Sequence, residues 1–180
     1  VKILGSGNHS NVYQVAPSCS GLPLTAALKV EVDESGHLAN ELQVLRTLMR
    51  VGDIPTPAVL WSGSYFDDPA FAMEVLGPSL RDLRKSIPGE ALSVKDALMV
   101  GDQLLTCYEA LHSLGFLHLS IKDANIATRL NKPDTLMLID FGRARRWCDE
   151  DGSHITRSHL SRKLNGYNFS IHASEGVVPT

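Results

Sequence analysis

Apolar and polar residues alternate through the opening of the chain, the period of strands on a half-buried sheet. The runs VKIL, NVYQVA and TAALKVEV read as strands, separated by the turns GSGNHS and PSCSGLP. The period then lengthens: Leu38, Leu42, Leu45 and Leu48 recur at near-helical spacing between Gly36 and Gly52, which predicts a helix. The turn cluster GDIPTP leads into two more strands, AVLWSGSYF and AFAMEVL. Beyond GPS the pattern is helical, with Ser79 placed to cap a short helix LRDLRKS. Ser93 and Asp96 resemble a capping box for a long helix, with acidic Asp96 in place of the usual Glu or Gln. Ala97, Gly101, Leu104, Tyr108 and Leu111 trace one face of it, and Gly115 suits its left-handed end. A loop, a short strand TLMLID and a polar tail complete the chain, with no internal repeat.

Composition narrows this picture only a little. With 180 residues, 43% of them hydrophobic and 21% charged, the chain is large enough for one sizeable core. The net charge of −3, with both signs interspersed, gives no reason to expect nucleic-acid binding or a polybasic membrane anchor. No apolar run approaches the length of a membrane span, and no signal pattern opens the sequence. Cys19, Cys107 and Cys148 are odd in number and lack metal-ligand spacing, which favours free thiols in a reducing compartment, cytosolic or nuclear.

Candidate chemistry sits in four places. Gly5 and Gly7 in LGSGNHSNVY would let backbone approach a phosphate, although a plain hairpin turn uses glycine in the same way. Lys29 alternates with apolar neighbours in ALKVE; it is either a solvated edge charge or the partner of Glu41, which lies among the inward leucines of the next helix. An apolar strand delivers Asp140 in LIDFG to the edge of a cleft, with Gly142 expected to permit the sharp turn after it. Asp140 could equally cap that turn. Lys122 and Asn125 lie three apart in the loop after the long helix.

Taken in order on these elements, the pieces resemble a eukaryotic protein kinase domain, specifically the casein kinase 1 group. MEVLGPSLRDLRK, IPTPAVLWSG and SIHASEG fit that group, and LRDLRK with LHSLGFLH leans towards its tau-tubulin kinase branch. The resemblance implies an α+β, protein-kinase-like two-lobed fold: a β-rich N-lobe over residues 1–76 and a partial helical C-lobe over 77–180. It implies ATP and Mg²⁺ as cofactors, with Lys29 on the α and β phosphates, Glu41 orienting it, and Asn125 and Asp140 as metal ligands. Met73 would be the gatekeeper, backbone at Glu74 and Leu76 would bind adenine, and Val12, Ala27 and Ile139 would wall the pocket. His118 would brace the catalytic loop, whereas His9 reads as a solvent-facing loop tip.

The sequence departs from this family where the chemistry is most exacting. The family's His-Arg-Asp reads His118-Leu119-Ser120 here, so a hydroxyl replaces the carboxylate that accepts the substrate proton. A serine hydroxyl is un-ionised at neutral pH, which puts a contribution of roughly 10²–10⁴-fold at risk. Asp123 lies beyond Lys122, where the family usually has Pro, and is poorly placed to substitute. Leu119 replaces the Arg that commonly pairs with a phosphorylated activation loop. The peptide-positioning segment LNGYNFSIHASEG is eroded, and Arg157, Arg162 and Lys163 read either as a solvated face or as an acidic-substrate contact. The family's further large-lobe helices do not follow, so the chain reads as a fragment whose long helix is partly uncovered. The expected function is ATP binding by a pseudokinase that acts on or regulates a protein partner. Weak Ser/Thr kinase activity and a nucleotide-free interaction module are the alternatives.

Overall fold

A computed structural model describes residues 2–16, 25–52, 54–149 and 151–155. Cys19, Arg157, Arg162, Lys163 and the LNGYNFSIHASEG segment lie outside them. The sheet half holds β1 (Lys2–Ser6), β2 (Ser10–Val15), β3 (Ala26–Glu31), β4 (Val59–Tyr65) and β5 (Asp68–Met73), with α1 (His37–Val51) between β3 and β4. The strands form one antiparallel sheet in the order β1-β2-β3-β5-β4. The helical half holds α2 (Leu80–Ser86) and α3 (Val94–Ser113). After α3 come short β hairpin and bridge strands: β6 (Phe116–Leu117) paired with β9 (Arg145–Arg146), and β7 (Ile126–Arg129) paired with β8 (Lys132–Leu138). The α+β expectation holds.

The strand period divides the sheet into two faces, because residues directly opposite in an antiparallel pair share a face. Val12 pairs with Lys29, Lys29 with Phe71 and Ala27 with Met73, so these side chains lie together. Ala27, Phe71 and Met73 join the main core with Leu38, Leu45 and Leu48 of α1, and with Leu111, Leu138 and Phe141 of the helical half. The alternate residues Ala26, Leu28, Val30, Ala70 and Ala72 form a second cluster with Tyr13 and Leu60. Lys29 is therefore not an edge charge; it sits on the central strand, 8% exposed.

Helix ends follow their capping residues. Ser79 and Asp82 complete a reciprocal capping box on α2, whereas on α3 the Ser93 hydroxyl accepts from Asp96 N–H and donates to the Asp96 carboxylate. The α3 box is thus half formed. Gly115 takes φ +78 just beyond α3, as expected of a left-handed end. Cys107 and Leu111 are buried on α3, while Val94, Leu98 and Leu105 are exposed. That long helix is uncovered on one side among the described residues. No helix among them is long and apolar enough to cross a membrane.

Several local expectations need correction. The turn after β1 is shorter than GSGNHS, because Gly5 and Ser6 pair with Val12 and Asn11 across a bulge. The strand expected at TLMLID starts at Lys132, since its polar first half pairs back onto β7, a strand too short for its period to be legible. His9 is not a free loop tip: its Nδ1 lies 2.6 Å from Asp33 Oδ2, and its ring meets His37 edge-on at 4.2 Å.

Candidate nucleotide and metal site

Two charges that a core ordinarily excludes meet beneath the sheet. Lys29 Nζ on β3 donates to Glu41 Oε2 on α1 at 2.5 Å, with side chains 10% and 4% exposed. Burial is the main effect on Glu41 and pushes its carboxyl up from the usual range, opposed by the Lys29 charge. The pair forms because Glu41 shares the inward face of α1 with Leu38, Leu45 and Leu48, opposite the central strand.

A second group converges from the loop between β6 and β7 and from the end of β8. Asn125 is buried, and its Nδ2 lies 2.9 Å from Ser120 Oγ, 2.9 Å from Ser120 O and 3.0 Å from Asp140 Oδ2. Lys29 Nζ and Lys122 Nζ each stand 3.8 Å from an Asp140 oxygen, one on each side. Asp140 itself remains 39% exposed at its side chain. The result is one carboxylate held between two ammonium groups and an amide, open to solvent.

Backbone strain lies at the same place. Leu119 and Asp140 take φ +57 and +67, left-handed values that cost a non-glycine residue about 1–2 kcal/mol. The sharp turn after β8 is thus made by Asp140 and not by Gly142. Gly142 is favoured for a different reason: a Cβ there would meet His37 Cβ at 3.2 Å and His37 O at 3.3 Å, tight enough that α1 would have to give by a few tenths of an ångström. Its absence lets α1 approach the 3-10 turn Phe141–Arg143.

His118 supports both segments from behind. Its Nε2–H donates to Ile139 O at 3.1 Å, and its ring packs 4.7 Å from that of Phe141. A neutral ring with the proton on Nε2 leaves Nδ1 a buried acceptor without a partner. Protonation would bury an unpaired donor, so burial holds this imidazole below its ordinary 6.5 despite the Ile139 bond, and His37 is lowered in the same direction. Below 6.5 the unfolded chain then binds more protons than the folded one, and stability decreases as the pH is lowered through that window. A urea midpoint that drops from about pH 7 to about pH 5.5 in the wild type, and drops less in His118→Asn, is the expected result. Equal slopes would assign the dependence elsewhere.

The remaining candidate positions lie on the sheet and on the segments that follow β5 and β8. Val12 and Ile139 are half-buried, Ala27 and Met73 buried, Gly5 lies in β1 opposite Val12, and Gly7 lies in the β1–β2 turn. The segment from Glu74 to Gly77 is anchored at both ends: Glu74 N–H donates to Ala58 O at 3.0 Å, and Gly77 N–H to Thr128 O at 2.8 Å. Leu76 lies between these anchors. Gly77 has no room for a side chain, because a Cβ would fall 2.3 Å from Thr128 Oγ1.

Asp123 points away from this chemistry. Arg81 Nε and Arg84 Nη2 of α2 donate to its two oxygens at 2.9 and 3.1 Å, and the Arg81 bond leads in lowering its pKa. The arginines sit three apart on one helix face, a spacing visible in the sequence but without an evident target. Asn40 is a further residue that sequence reasoning missed. Its Nδ2 faces the carbonyl oxygens of Phe141, Gly142 and Ala144 at 3.0–3.1 Å.

A buried lysine–glutamate pair, an Asn–Asp couple and a glycine-bearing β1–β2 turn thus occur in one chain, in the order the sequence suggested. The family model of the protein kinase domain matches residues 1–161, and the chain belongs to the protein kinase domain family.

Proposed function

We propose that this chain binds MgATP as a pseudokinase of the casein kinase 1 group, tau-tubulin kinase-like branch, and regulates a protein partner in the cytosol or nucleus. Protein kinase domains in general use ATP with Mg²⁺ and act on proteins. The observation that carries the reading is the asymmetry of the site: phosphate- and metal-type groups converge, while Ser120 stands beside Asn125 and Asp123 is occupied by Arg81 and Arg84. Asp140 is solvent-accessible and offers the carboxylate oxygens that a hard cation such as Mg²⁺ takes, and Asn125 beside it carries an amide oxygen that would join them once the amide turns its Nδ2 away from Asp140, so the residue types present fit the metal. When bound, the ion neutralises phosphate charge. Lys29 would hold the α and β phosphates, Lys122 the terminal one, and Gly5 and Gly7 would cover them. Met73, Glu74, Leu76, Val12, Ala27 and Ile139 would receive the adenine end.

Weak transfer to Ser/Thr is the second reading, favoured by the retained positions of Lys122, Asn125 and Asp140, because positioning and electrostatics supply most of this catalysis. The test is thermal unfolding with ATP, with and without Mg²⁺. At a hundredfold excess over Kd, binding adds about 2.7 kcal/mol, a rise of about 5–10 °C for a domain of this size. The rise should need the metal and vanish in Lys29→Met and Asp140→Asn. Folded protein with no metal-dependent rise would leave a nucleotide-free interaction module instead.

A further inference from the structure

We propose that Asn40 is the positioning residue that sets the metal-binding carboxylate, by holding the turn after Asp140 against α1. The inference rests on the reading of Asp140 as a metal ligand. An asparagine amide carries two N–H donors, and here Nδ2 faces three carbonyl oxygens: Phe141 at 3.1 Å, Gly142 at 3.0 Å and Ala144 at 3.1 Å. Those carbonyls converge because Phe141–Arg143 is a single 3-10 turn that no further turn follows; Phe141 O also accepts from Ala144 N–H at 2.9 Å, and Ala144 O from Arg145 Nη1 at 2.8 Å.

The same turn begins at Asp140, in its left-handed conformation, so its orientation decides where that carboxylate points. The carboxylate itself has a neighbour tied to α1, since Lys29, which donates to Glu41, stands 3.8 Å from Asp140 Oδ1. Consecutive residues of α1 therefore serve one turn: Asn40 donates to its carbonyls, and Glu41 holds the lysine beside its aspartate. Gly142 packs closely under the same helix, where a Cβ would come within 3.2 Å of His37 Cβ, so the turn and the start of α1 are in tight contact on this side too.

Aspartate has the shape of asparagine but offers only acceptors, so Asn40→Asp would turn three attractions into repulsions, whereas Asn40→Ala would merely release the turn. A purely structural role would lower stability and leave the metal's contribution to binding unchanged. The experiment measures ATP affinity with Mg²⁺ and with EDTA, and amide hydrogen exchange over residues 141–146 in nucleotide-free protein, for wild type, Asn40→Ala, Asn40→Asp and the neighbouring control Gln43→Ala. In Asn40→Asp, MgATP affinity is expected to fall about tenfold, metal-free affinity less than about twofold, and exchange to speed up about tenfold. Asn40→Ala should lie between, and Gln43→Ala with the wild type. Equal losses with and without Mg²⁺, or unchanged exchange, would overturn the proposal. If the wild type itself binds no nucleotide, the nucleotide reading falls, and the claim that Asn40 holds the turn stands or falls on the exchange comparison.

Discussion

Phosphoryl transfer from MgATP to a protein hydroxyl is expected to rise about 10²–10⁴-fold when Ser120 is replaced by Asp. The expectation comes from the surroundings of residue 120, which retain what a catalytic carboxylate would need. Asn125 Nδ2 is shared between Ser120 and Asp140, and Lys122 stands on the far side of Asp140. A carboxylate at position 120 would accept from the same amide without moving it. Asp123 does not fill the role in the wild type, because two guanidinium groups engage it and lower its basicity. The check is label transfer to a Ser/Thr peptide mixture by wild type, Ser120→Asp, and Ser120→Asp with Asp140→Asn. The first variant should gain activity and the double variant lose it. No gain in a variant whose MgATP stabilisation matches the wild type would show that the missing base is not what limits transfer.

The largest effect on stability is expected at Glu41. Glu41→Ala should cost about 3–5 kcal/mol, because it leaves the buried Lys29 ammonium with only the more distant and half-exposed Asp140 carboxylate, 3.8 Å away. Against a typical total of about 5–15 kcal/mol, that is a large share of what holds a domain together. Lys29→Met with Glu41→Leu should recover most of the loss, since a matched apolar pair is often as stable as a buried ion pair. Chemical denaturation of the singles and the double decides it. A Glu41→Ala cost below about 1 kcal/mol, the range of an exposed pair, would mean that water reaches Lys29 in solution. The pair would then contribute little to folding.

How far the site could be foreseen depended on the range of the interactions that build it. The strand and helix periods placed β1 to β5 and α1 to α3, because alternation and near-helical leucine spacing are local consequences of burying one face. The pairing of β7 with the polar start of β8 escaped, since four residues are too few to show a period. Among the chemical groups, Lys29, Glu41, Asn125 and Asp140 stood out by residue type and order. The structure then brought them to distances that sequence spacing does not specify.

Three contacts were decided by tertiary structure alone. Asn40 reaches carbonyls a hundred residues away, Arg81 and Arg84 reach Asp123, and His9 reaches Asp33 and His37. In each case an unremarkable polar residue acquires its role from a neighbour that only chain folding supplies. By itself the sequence determined the elements, the inward charge on α1 and the hydroxyl at position 120, because these follow from local period and residue identity. The tertiary structure decided that the turn at Asp140 is strained at the aspartate, that Gly142 packs tightly under α1, and that Asp123 is already occupied. These depend on steric and electrostatic contacts between distant segments, which no local pattern records.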